Sequence, residues 1–330
     1  MAQLVKLQDY ISRYQLDLSR YPTQFVRLKK SQWDRVKQQW MSGDEIPEWE
    51  HMEEQTDLQE NKKRFSLFRK LKFKKEEHED TNIEEVAVST ELLSEDEIPD
   101  EETTLFFEPK IVYKPNSIEE LKVVFLNQFL QFQLKWASST LREKSYVDPK
   151  FLRDTFLKNI LQGLPDNFLV FYYPIVKVKK APVELDIVLL TPTECICITV
   201  VEHENLAVFV GNGERFWTKK IRTSDKKILN PLIQLNRMES IINQLFKEKD
   251  VQLPTRKVLL SRNGYFDYPG SVFNVQFIDK REFPSWLNTL KRTSSPMKRM
   301  QIQAAHAILE KVQTTSVNRD IWKANRVVEE

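Results

Sequence analysis

Between Pro182 and Val201 two β-patterned runs, Val183–Leu190 and Cys195–Val201, are separated by a short Thr-Pro-Thr turn signal, and the first run carries two carboxylates, Glu184 and Asp186. Side chains two apart on a strand share a face, so Glu184 and Asp186 are expected to point the same way. Two carboxylates beside a second strand make one of the arrangements that hold a divalent metal. The second run reads Cys-Ile-Cys-Ile-Thr-Val-Val and offers no acid and no lysine. Half of a metal site is therefore visible, and the other half is filled with residues that cannot do its chemistry.

The rest of the composition narrows the classes. Hydrophobic residues make up 41% of the 330, enough for a real core, while 30% are charged, so part of the chain is expected to stay unpacked. Only six glycines occur, and neither glycine-rich phosphate motif is present. Cys195 and Cys197 fall on one face of one strand, where disulfide geometry is out of reach, and are read as small buried hydrophobes. The four histidines show no ligand spacing. No signal-peptide pattern and no apolar run of about 18 residues is found, so the expected location is the cytoplasm and no transmembrane segment is expected.

Residues 1–44 read as an N-terminal helical segment of two helices. The first runs from Leu4 to about Ser19, with Leu4, Leu7 and Ile11 at helical spacing; the second follows Tyr21-Pro22 and carries Phe25, Leu28, Trp33, Val36 and Trp40. Residues 45–103 read as a disordered linker, basic and then acidic. Lys62, Lys63, Arg64, Arg69, Lys70, Lys72, Lys74 and Lys75 are interleaved with Phe65, Leu67, Phe68, Leu71 and Phe73, and the stretch 76–102 that follows has no Lys or Arg. Blocks of like charge repel and bury little.

Residues 104–330 read as a globular α/β domain. Ser117-Ile118-Glu119-Glu120 is a capping-box signal, and Asp148-Pro149 opens a second helix closed by Gly163. Strands are expected at Phe168–Val178, Val183–Leu190, Cys195–Val201, Ala207–Val210 and Arg215–Lys219. Asn230-Pro231 caps a long helix to about Lys247, and further strands follow at Lys257–Ser261 and Val272–Phe277. Two helices end the fold. This order describes a sheet covered by helices, with the strand at Lys257 parallel to an earlier one through a crossover.

The Glu-x-Asp pair at Glu184 and Asp186, the strand-turn-strand after it, and Asn230-Pro231-Leu232-Ile233-Gln234 together resemble a NERD (nuclease-related) domain. That family is a branch of the PD-(D/E)xK, restriction-endonuclease-like superfamily. The resemblance covers roughly 106–290, and the whole chain is similar to NERD-containing proteins of Gram-positive bacteria. It implies a mixed sheet flanked by helices, and a DNA nuclease site in which Asp186 binds Mg²⁺. A Glu-x-Lys on the next strand would complete that site, with Gln234 at its border. Laid onto this chain, those two positions fall on Thr199 and Val201. Glu202 lies one residue on and so on the opposite face; Lys219 and Lys220 are candidates for a relocated lysine, and the family's Gly-Glu pair at the helix ahead of the strands is missing, with Asp154 a faint substitute. Loss of a metal ligand and a lysine together removes most of the site's electrostatics.

The expectation is therefore a degenerate nuclease-related domain with a binding or scaffolding role, no resident cofactor, and a residual site of Glu184, Asp186 and Gln234. The alternatives are an active Mg²⁺-dependent nuclease with a rearranged site, and a membrane-peripheral adaptor. The Lys62–Lys75 segment is expected to meet nucleic acid or an anionic membrane surface, and a protein partner is left unnamed.

Overall fold

The structure, a computed structural model, describes residues 1–42, 107–111, 115–179, 181–202, 206–222 and 224–319. The linker expected at 45–103, with its basic segment 62–75, lies outside the described residues. Residues 1–31 with 126–330 make one compact unit and residues 32–125 a second.

The strands in chain order are β1 (Gln3–Leu7), β2 (Glu143–Lys144), β3 (Leu169–Tyr172), β4 (Ile175–Val178), β5 (Ala181–Glu184), β6 (Ile187–Leu190) and β7 (Cys195–Val200). They continue with β8 (Val208–Val210), β9 (Phe216–Ile221), β10 (Ser224–Leu229), β11 (Thr255–Leu260), β12 (Tyr265–Asp267), β13 (Val275–Ile278) and β14 (Val317–Asn318). The helices are α1 (Tyr21–Ser42), α2 (Ile118–Trp136), α3 (Lys150–Arg153), α4 (Thr155–Gly163), α5 (Pro231–Glu248), α6 (Phe283–Lys291) and α7 (Arg299–Leu309).

The main sheet of the larger unit has the order β1-β3-β6-β7-β11-β13. It is mixed: β3, β6 and β7 pair antiparallel, while β1 lies parallel to β3, and β11 parallel to both β7 and β13. The crossover through α5 thus returns parallel to β7, as the order of the elements predicts. Alternate residues of each strand feed opposite cores. Phe171, Val188, Cys195, Cys197 and Leu259 pack beneath α5 and α7, while Val170, Leu189, Ile196, Val258 and Leu260 pack beneath α4 and α6. Both faces are apolar because both are covered. The two cysteines are buried and free, as their pattern suggested, and burial pushes the Cys195 thiol well up from its ordinary range.

One expected helix is absent. The Leu4–Ser19 stretch is strand β1 followed by a 3₁₀ turn at Arg13–Gln15 capped by Ser12. All five residues of β1 are buried, so its apolar spacing does not separate strand from helix; pairing with β3 decides the matter. The second expected helix is α1. In the smaller unit, Val36, Ile111 and Leu121 form a core with Trp33 and Trp40 against it, and Ser117 caps α2 by accepting from the Glu120 amide at 3.1 Å.

A second sheet, β10-β9-β8-β12, takes the three strands that follow β7 in the chain and leads through β10 into α5. Asn230 caps α5 as the sequence predicts, its Oδ1 accepting from the Leu232 amide at 2.9 Å.

Candidate active site on the face covered by α5

The strand expected at Val183–Leu190 is interrupted. β5 ends at Glu184 in a separate hairpin with β4, and β6 begins at Ile187 in the main sheet. The opposite strand breaks at the same level, at Tyr173-Pro174. Pro174 has no amide to give the ladder, and Tyr173 takes a positive φ of 49°. Two bonds carry the pairing through the bend, from the Tyr173 amide to the Asp186 carbonyl at 2.8 Å and from the Leu185 amide to the Pro174 carbonyl at 3.0 Å. As a consequence Glu184 and Asp186 do not share a strand face. Glu184 is exposed, whereas Asp186 is buried at 9% accessibility.

Asp186 is held by two neutral donors. Thr199 Oγ1 on β7 donates to its Oδ2 at 2.5 Å, and Gln234 Nε2 from the first turn of α5 donates to its Oδ1 at 2.5 Å. Local structure explains both. In the β6–β7 register Ile187 lies opposite Ile198, so the next position brings Asp186 beside Thr199. The Asn230 cap fixes the start of α5, which sets Gln234 over the same point. Burial raises the Asp186 carboxyl above its ordinary range; the Thr199 and Gln234 bonds pull against that, and the Glu184 charge adds to the rise.

Val201 lies on the Thr199 face of β7, half-buried against the apolar core under α5. Glu202 faces the other way. Arg262 binds it through Nε at 2.5 Å and Nη2 at 2.7 Å and stacks over the Phe156 ring, part of the core on the opposite side of the sheet. Lys219 and Lys220 sit on β9 in the second sheet, and among the described residues no Lys or Arg makes an ion pair with Asp186. The strand next to β7 carries a lysine that the sequence did not mark. Lys257 on β11 is buried on the α5 side, but it is spoken for by Glu239 Oε2 and Asn236 Oδ1, both at 2.8 Å.

Asp154 is placed as a helix cap. Its Oδ1 accepts from the amides of Phe156 and Leu157, and its Oδ2 accepts from Tyr172 Oη at 2.5 Å. Burial, with that carboxylate, drives the Tyr172 phenol far up. Tyr173, missed in the sequence, is pushed up to about 12 by burial and then by Asp186, Asp154, Glu184 and Glu202.

A nuclease of the implied kind would place Mg²⁺ on Asp186. Mg²⁺ wants oxygen lone pairs in octahedral array. Here each Asp186 oxygen already accepts a hydrogen bond, and the two groups that reach it, Thr199 and Gln234, are neutral and bring no second negative charge for the ion. Among the described residues no three His, Cys, Asp or Glu side chains converge on a metal-sized site. The residues present do not fit the ion. Nor is any described helix long and apolar enough to cross a membrane.

Comparison with known proteins agrees with the nuclease-related resemblance. A curated protein named RNA 2',3'-cyclic phosphodiesterase, from Geobacillus stearothermophilus, is 52% identical over 40 residues, covering 12% of this chain. The chain spans only 13% of the length of that relative. No solved structure matches the chain. Residues 151–261 match the family described as the nuclease-related domain, NERD. That span opens at α3–α4, runs through β3–β7 and α5, and closes one residue past β11; the chain carries a nuclease-related domain there.

Proposed function

We propose that this nuclease-related domain has lost cleavage and serves in binding or assembly, with nucleic acid as the partner class its ancestry favours. The observation that carries the reading is the state of Asp186. The one buried carboxylate at the family's metal position has both oxygens engaged by Thr199 and Gln234. The positions that should supply a second carboxylate and a lysine hold Thr199 and Val201. A lysine at the reacting phosphate and a bound metal are the two terms that stabilise charge in phosphodiester cleavage. Neither is supported by the side chains around Asp186. Cytoplasmic action fits a domain of this kind, and the 40-residue likeness is too short to bring its relative's reaction with it.

The test is incubation of the full chain with single- and double-stranded DNA and RNA, with Mg²⁺ or Mn²⁺ present. No cleavage above a buffer control is expected. Metal-dependent cleavage that disappears in Asp186→Ala would overturn the reading and restore the nuclease alternative.

A further inference from the structure

Lys6 on β1 is wholly buried, and among the described residues no carboxylate bonds it. Its Nζ donates to the Tyr10 carbonyl at 2.5 Å and to Gln15 Oε1 and Thr314 Oγ1 at 3.1 Å each, three neutral acceptors from three segments of the larger unit. A buried charge is stable when it is paired. The carboxylate whose charge reaches Lys6 is Asp9, and Asp9 Oδ2 accepts instead from Thr315 Oγ1 at 2.7 Å. The titratable groups on the elements around it are turned to other partners. Arg13 bonds the Ser139 carbonyl at 3.0 Å and lies over the Trp136 ring, and the charge of Arg319 bears on Arg13. The Tyr14 hydroxyl donates to Gln3 Oε1, Tyr172 donates to Asp154, and Tyr10 Oη accepts from the Asp148 amide. Glu143 accepts from Ser316 Oγ, Lys144 lies over Tyr146, and Lys311 meets Glu248.

The three acceptors differ in how firmly they are held. Tyr10 and Gln15 belong to the end of β1 and to the 3₁₀ turn, which carries the buried Tyr14. Thr314 belongs to residues 313–319, a strap that follows α7, and is exposed, as are Thr315, Val317 and Asn318. Val312, buried in the core, anchors its start. Beyond Val312 hydrogen bonds hold the strap. The Gln313 amide donates to the Ile175 carbonyl and the Thr315 amide to the Asp9 carbonyl, at 2.7 Å each. Ser145 Oγ donates to the Thr315 carbonyl at 2.6 Å, and β14 pairs with β2. Exposed hydrogen bonds with little apolar burial mark the segments that open at less cost than global unfolding.

We propose that residues 313–319 are a pH-gated strap, which closes over the neutral amine of Lys6 and lifts when that amine takes up a proton. A neutral amine has two N–H donors and one lone pair, and the Thr314 hydroxyl, which both donates and accepts, can fill the lone pair. Every polar group is then satisfied with the strap closed. The ammonium has no counter-ion there, and lifting the strap replaces Thr314 with water. Burial lowers Lys6 from 10.5 to about 7 in the closed form, against the opposing pull of Asp9. Once water is admitted the amine returns toward 10.5, so opening takes up a proton between those values. The opening constant is therefore highest below about 7 and falls by up to about tenfold for each pH unit above it. The strap's hold reaches the residual site, because Gln313 bonds Ile175, the residue paired with Glu184 across the β4–β5 hairpin.

The experiment follows amide hydrogen exchange in the full chain at pH 6 and pH 8.5, with each observed rate divided into the intrinsic rate at the same pH to give a protection factor. At pH 6 the Gln313 and Thr315 amides are expected to be at least about tenfold less protected than the amide of Ile198, buried on the central strand β7. By pH 8.5 their protection is expected to climb by about tenfold or more. In Lys6→Met that climb should vanish. If this variant does not fold, Lys6→Gln, which keeps an N–H donor, is read for the same loss. Strap amides as protected as Ile198 at pH 6 would show that nothing opens short of global unfolding, and would overturn the proposal. So would protection that does not change with pH in the wild type, or a climb that survives removal of the amine.

Discussion

Thr199 Oγ1 stands 2.5 Å from Asp186 Oδ2, and with Gln234 on the other oxygen it holds a buried carboxylate between two neutral donors. A carboxylate in water satisfies itself with solvent; buried, it needs donors or it takes up a proton. Thr199 and Gln234 are those donors. Each is neutral, so they stabilise the ionised form only in part, and the carboxyl remains raised. A nuclease site would meet the same need with a metal and a lysine, and would gain catalysis from them.

Restoring one acid should make that trade visible. Thr199→Glu would put a second carboxylate beside Asp186, in a place where the native residue is only 6% exposed. Two like charges in one site cannot both ionise cheaply. The variant should therefore melt below wild type in EDTA and recover with millimolar Mg²⁺ or Mn²⁺, since an ion bound only by the folded state stabilises it. Wild type should show no such response. A wild-type melting temperature that climbs with Mg²⁺ would mean that Asp186 ligates metal as it stands.

The raised Asp186 carboxyl has a definite sign in stability. A folded-state value above the unfolded 3.8 means that the folded protein binds the proton more tightly. Between the two values stability rises as pH falls, and the cost of the buried charge is fully present above the folded value. Asp186→Asn removes that titration. Urea midpoints from pH 7 down to 4 should fall less steeply for wild type than for the variant, once other carboxylates have contributed equally to both. Parallel curves would show that Asp186 ionises in the fold as freely as in water.

Much of this was legible before the fold was known, and the misses share a cause. Asn230-Pro231 fixed the start of α5, and the cap is made as its residue types require. Thr199 and Val201 were placed on one face of β7, and Glu202 on the other, by strand period alone. The break at Asp186 was not legible, because it depends on Pro174 and Tyr173 in the neighbouring strand and not on its own residues. β1 was hidden for a related reason. A strand covered on both faces has no alternation to read, and Gln3, Lys6 and the leucines beside them are all buried. β10 was missed because five of its six residues are exposed, with no apolar face to announce a strand.

Close packing around Gly211 gives a third expectation. A Cβ there would come within 2.6 Å of both the Trp217 and Tyr268 rings. Trp217 is buried, and the two rings lie 5.6 Å apart, so neither can retreat without disturbing the other. Overpacking of this kind costs about 1–3 kcal/mol. Gly211→Ala should lower stability by that order in urea denaturation. Gly213→Ala, where nothing lies within 4 Å, should leave it nearly unchanged. Equal effects at the two positions would mean that the loop adjusts freely.

Lys6 supplies the last expectation. It lies on β1 with 0% accessibility, and its Nζ donates to the Tyr10 carbonyl at 2.5 Å and to Gln15 Oε1 and Thr314 Oγ1 at 3.1 Å each. Burial lowers it from 10.5 to about 7, against the opposing pull of Asp9. Between those values the unfolded chain holds a proton that the folded chain has released, so stability rises with pH across that window, and below about 7 the cost is fully present. Lys6→Met keeps the length and apolar stem and removes the titration. Gln15 Nε2 already donates to Thr314 Oγ1 at 2.9 Å, and Gln15 Oε1 already accepts from the Ser12 amide at 3.0 Å, so both side-chain acceptors retain a partner. Urea midpoints measured at intervals from pH 6.5 to 9.5 should rise for wild type relative to Lys6→Met. A constant difference across that range would show that the three acceptors hold the ammonium charged throughout, and the expected pH dependence would be lost.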